Sequence, residues 1–116
     1  MKTNVYIILY KNKLVPVPSS LIRSNMLHIK TNISSQHIDT ILKLINIIEK
    51  SNVNLSKFIN PIKNISISIE LIKNKNVLIM YNTPDSLSTV CTLEINVNNT
   101  KESISKVKYM YNKLFE

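Results

Sequence analysis

The clearest pattern along the chain is a strict alternation in residues 65–71, where Ile65, Ile67, Ile69 and Leu71 take turns with Ser66, Ser68 and Glu70. Successive side chains of a strand point to opposite faces, so this segment predicts a strand with one buried and one wet side. Residues 77–81 (VLIMY) follow across Lys73-Asn74-Lys75-Asn76, which reads as a hairpin loop. Beyond a second turn at Asn82-Thr83-Pro84-Asp85-Ser86, residues 87–97 alternate again, with Leu87, Thr89, Cys91, Leu93, Ile95 and Val97 on one side. These segments predict a three-strand meander.

Residues 4–10 (NVYIILY) carry a different signal, because the run is apolar on both sides and reads as a buried strand. Lys11-Asn12-Lys13 reads as a turn in which Asn takes the left-handed backbone that glycine would otherwise supply. Leu14 to Pro18 is extended, and Pro16 and Pro18 lack amide donors, which confines the segment to a sheet edge or a loop. Residues 26–30 (MLHIK) are a further short strand candidate.

Two stretches change period. Ile38, Ile41, Leu42, Ile45 and Ile48 recur at helical spacing, with Leu44 and Ile47 widening the stripe. Ser35 reads as the N-cap and Asp39 falls in the first turn, where the helix dipole favours an anion. Lys50 stands in the last turn and Asn52 reads as the stop. Leu55 to Ile59 predicts a short second helical turn ended by Pro61. Asn99 with Glu102 three residues on resembles a capping box with Asn in the Ser/Thr position. The helix it opens buries Ile104, Val107, Met110, Tyr111 and Leu114, and sets Lys101, Lys106, Lys108 and Lys113 on the other side.

The simplest way to bury both helical stripes is to lay them on a sheet. The expected fold is α+β: an antiparallel sheet of four to five strands, two amphipathic helices packed on one face, and residues 1–116 in a single domain. The order helix, three strands, helix across 35–115 resembles a double-stranded-RNA-binding domain in outline. That family's glycine-bearing loop and the Lys-Lys cluster opening its last helix are missing, since Lys101 stands alone there. The family's function is therefore not carried over.

Composition alters how the charge is read. The chain has no Gly, Ala or Trp and one Arg, while Ile, Asn and Lys number 19, 16 and 14. Codons for the missing residues are GC-rich and those for the abundant ones can be built from A and T. An AT-rich genome is implied, of the kind some large viruses and organelles have. A net charge of +8 would ordinarily point to nucleic acid or an anionic surface. Here lysine is partly a product of codon bias, so the charge counts for less. By the same reasoning Pro16, Pro18, Pro61 and Pro84 persist against the bias and mark backbone positions that need a fixed φ.

The reactive inventory is thin. Cys91 is the one cysteine, which excludes an internal disulfide framework and fits a reducing, intracellular compartment. With His28 and His37 it falls short of a zinc ligand set, and its place in an alternating strand reads as core packing rather than as a nucleophile. Phosphate-cradling loops need glycine for close backbone approach, and a chain without glycine has none. The apolar run before Lys11 is six residues, too short for a signal-peptide core or a membrane span. No catalytic residue, cofactor, metal or membrane contact is expected.

What remains is binding. The leading expectation is a non-catalytic protein-interaction subunit or adaptor in a larger assembly, in contact with another protein or a second copy. Tyr6, Ile8, Tyr10, Ile72 and Val90 are the candidate contacts, because they sit on strand sides that ought to be wet. The alternative is a sequence-nonspecific nucleic-acid binder using Lys73, Lys75, Lys101, Lys106, Lys108 and Lys113 on phosphates. Burial of the apolar strand faces by the 14–30 segment of the same chain is the competing explanation for the first set.

Overall fold

A computed structural model describes residues 3–23, 26–59, 65–73, 75–82 and 89–115, and for 65, 66, 76–82, 89–91, 114 and 115 the backbone alone. Asn74, Pro61, Pro84 and the expected turn beyond Asn82 lie outside the described residues. The chain runs β1 (Val5–Tyr10), β2 (Lys13–Pro18), β3 (His28–Thr31), α1 (Ile38–Lys50), α2 (Leu55–Ile59), β4 (Ile65–Ile72), β5 (Lys75–Asn82), β6 (Thr89–Ile95) and α3 (Thr100–Phe115).

The fold is α+β, with one correction to the sheet. Six strands are hydrogen-bonded in the order β2-β1-β3-β4-β5-β6, rather than four or five. The sheet is mixed rather than antiparallel, because β3 and β4 run parallel. The cause is the connection: β3 leads into α1 and α2 before β4, and a long helical crossover returns the chain to the end it left. Every other neighbouring pair is antiparallel.

β1 and β2 are joined by Lys11 and Asn12, which have φ of 48° and 64°. Two consecutive left-handed residues make the mirror-image turn whose twist suits a two-residue hairpin. Tyr10 therefore faces Lys13 across the closing pair, and ladder bonds alternate from there. The amides of residues 14, 16 and 18 consequently point away from β1. Leu14 donates its N–H to Glu49 Oε2 at 3.2 Å, and Pro16 and Pro18 have no N–H to leave unpaired. β2 is the sheet edge, as its prolines require.

β3 and β4 share a short ladder, Lys30 opposite Ser68 and Thr31 opposite Ile69. Asn32 lengthens it with a side chain. Its Oδ1 accepts from the Leu71 N–H at 2.7 Å, and its Nδ2 donates to the Leu71 carbonyl at 3.3 Å. Thr31 Oγ1 ties the other side of β3 to β1 by donating to the Val5 carbonyl at 2.6 Å.

The helix ends follow their local chemistry. A 3₁₀ turn over Ser35–His37 precedes α1, and neither Ser34 nor His37 caps it through a side chain, so the expected Ser35 cap is not the entry. Asn52 ends α1 with φ of 56°, the left-handed stop expected of it. Asn99 Oδ1 accepts the Glu102 N–H at 3.2 Å, while Glu102 Oε2 accepts from Asn99 Nδ2 at 2.8 Å, closing a side-chain variant of the capping box.

One core cluster takes Ile41, Leu44, Ile45, Ile47 and Ile48 of α1, Phe58 and Ile59 of α2, and Val107, Met110 and Tyr111 of α3. The strands supply Val5, Ile7, Leu14, Ile29, Ile67, Ile69 and Ile95. Leu42, expected in the helical stripe, is 49% exposed. The buried arc of α1 instead takes in Leu44 and Ile47 fully, where the stripe was expected only to widen.

Candidate interaction face

Strand residues in the core all lie on one face of the sheet by register. Register then assigns the opposite face. Val17 stands across from Tyr6, Val15 from Ile8, and Lys13 from Tyr10. His28 stands across from Ile8 on the other flank of β1, and Lys30 across from Ser68. None of these residues belongs to the core cluster.

This second face is neither a core nor an ordinary wet surface. Tyr6, Val15, Val17 and His28 are half-buried. Ile8 is 8% exposed yet lies outside the core cluster, with Val15 and His28 beside it in register. The Tyr6 and His28 rings stack with centroids 5.7 Å apart and planes 6° from parallel. Tyr10 is 57% exposed, and the Lys11 ammonium stands 5.3 Å from its ring centroid. Ile72, at the far end of β4, is 41% exposed. The Val90 side chain lies outside the described residues.

Four of the five expected contacts, Tyr6, Ile8, Tyr10 and Ile72, thus fall on one face. Of the 14–30 segment, residues 14–18 lie in the edge strand, while the chain beyond them passes to β3 on the far side of β1. None of the described residues between β2 and β3 joins the core cluster, so burial of part of this face by the same chain stands as the competing explanation. Val15, Val17, His28 and Lys30 complete the surface. Their strand periodicity was visible in the sequence, but membership of this face depends on pairing across strands.

Ser68 sits in the same face and is 4% exposed. Its Oγ is the buried side-chain polar atom with no hydrogen-bond partner among the described residues. The other buried polar side chains are bonded. Ser51 Oγ donates to the Ile47 carbonyl at 2.6 Å, and Ser103 Oγ donates to the Asn96 carbonyl at 2.7 Å while accepting the Asn96 N–H at 3.1 Å.

The six candidate lysines are dispersed. Lys101 and Lys108 are seven residues apart on α3, as are Lys106 and Lys113, so each pair shares an azimuth. At 3.6 residues per turn the two pairs are separated by roughly 140° around the helix. Lys106 is bound to Glu102 at 3.1 Å, and Lys113 stands 5.3 Å from the Tyr109 ring centroid. Lys108 borders a polar hollow of about 390 Å³ with Asn52, Asn54 and Asn112. Lys75 is paired with Glu94 at 3.7 Å, and Lys73 holds the hairpin with φ of 49°.

Among the described residues no three His, Cys, Asp or Glu side chains are grouped so as to hold a metal ion. No helix among them is long and apolar enough to cross a membrane. Comparison with protein-family models, with curated protein sequences and with solved structures finds no match.

Proposed function

We propose that this chain is a non-catalytic adaptor that works by surface contact inside a larger assembly, through the sheet face turned away from the core. On this reading α1 and α3 cover one face of the sheet together and leave the other to a partner. Support comes from the single sheet face that the strand residues of the core share by register and from the shared cluster that the buried residues of both helices join. The observation that carries the reading is the band Tyr6, Ile8, Tyr10, Val15 and Val17. It is apolar and aromatic, it lies outside the core cluster, and Tyr10 is its exposed member. Contiguous apolar surface rimmed by polar groups is a mark of interaction sites.

Replacing Tyr10 or Val17 by Glu puts a charge at one or the other end of that band, at positions the core does not use. The test compares wild type and these variants by light scattering at micromolar concentration and by co-purification from the native host, with circular dichroism as the folding control. Association that is present in wild type and lost in folded variants supports the reading. A wild-type chain that stays monomeric and recovers no partner sinks it. The phosphate-binding use of the α3 lysines has less support, since those lysines divide between two flanks and one is already paired.

A further inference from the structure

We draw no further inference here: the strongest candidate, the apolar groove of about 400 Å³ that Val5, Pro16, Pro18 and Ile38 line between β2 and the start of α1, carries nothing because nothing in the structure shows what covers it.

Discussion

Thr31 and Ser68 stand in adjacent strands, both nearly buried, and their hydroxyls meet opposite fates. Thr31 Oγ1 donates to the Val5 carbonyl and accepts the Ile33 N–H at 3.0 Å, so it joins the end of β3 to β1. Thr31→Val keeps the shape and strands both backbone groups, which costs about 1–3 kcal/mol. Ser68 Oγ has been taken from water without a described partner in return. Ser68→Ala removes an unmet hydroxyl, so the variant is expected to be as stable as wild type or more stable by up to about 1 kcal/mol. Paired urea melts decide it, and a loss in Ser68→Ala comparable to that in Thr31→Val would show that its hydroxyl is engaged. The absence of glycine gives a second residue-scale expectation. Asn12 holds φ of 64° in the β1–β2 turn, a region that costs a side-chain-bearing residue more than glycine. Asn12→Gly should raise stability by about 0.5–1 kcal/mol, read as a higher melting temperature, because Lys11 before it already holds the hairpin register.

At the scale of elements, the weakest seam is the parallel junction of β3 and β4. Its register is two residue pairs, against eight between β4 and β5. Asn32 adds two hydrogen bonds to Leu71 from outside the strand. Asn32→Ala therefore should cost about 0.5–1.5 kcal/mol and speed exchange of the Leu71 amide, leaving the amides of the β1–β2 ladder unchanged. A uniform change across the sheet would show that the seam opens only with global unfolding. This seam is also where sequence reading stopped. Alternation made β4 and β6 visible, helical spacing made α1 and α3 visible, and Asn52 and the Asn99–Glu102 pair marked their ends. Those signals are local. Which strand lies beside β4 depends on where α1 and α2 deliver the chain, and no period within β3 or β4 encodes a neighbour. The same limit applies to β1. Apolar on both sides, its sequence did not say whether Ile7 or Ile8 faced the helices, and only pairing with Ile29 and His28 fixed it. The candidate face was half legible for that reason: Tyr6, Ile8 and Tyr10 could be named, but His28 and Lys30 could not be joined to them.

At the scale of the molecule, an open sheet must deal with its two edges, and here they differ. An edge strand displays unpaired N–H and C=O groups that another chain can use as a template. On β2 the outward amides are at residues 14, 16 and 18. Glu49 takes the first, and proline removes the other two. β6 is the opposite edge and carries no proline among Thr89–Ile95. A sheet with one edge blocked can pair once, through β6, and cannot grow into a continuous ribbon. The double change Pro16→Thr, Pro18→Thr restores both amides at positions whose strand geometry threonine readily takes. Glu49→Gln alone keeps the acceptor for Leu14 and serves as the control. Light scattering of the double variant should show mass increasing with concentration and time beyond any dimer, where wild type and Glu49→Gln hold constant. If the double variant is as well behaved as wild type, the prolines serve only the local backbone, and the edge is guarded by something other than missing donors.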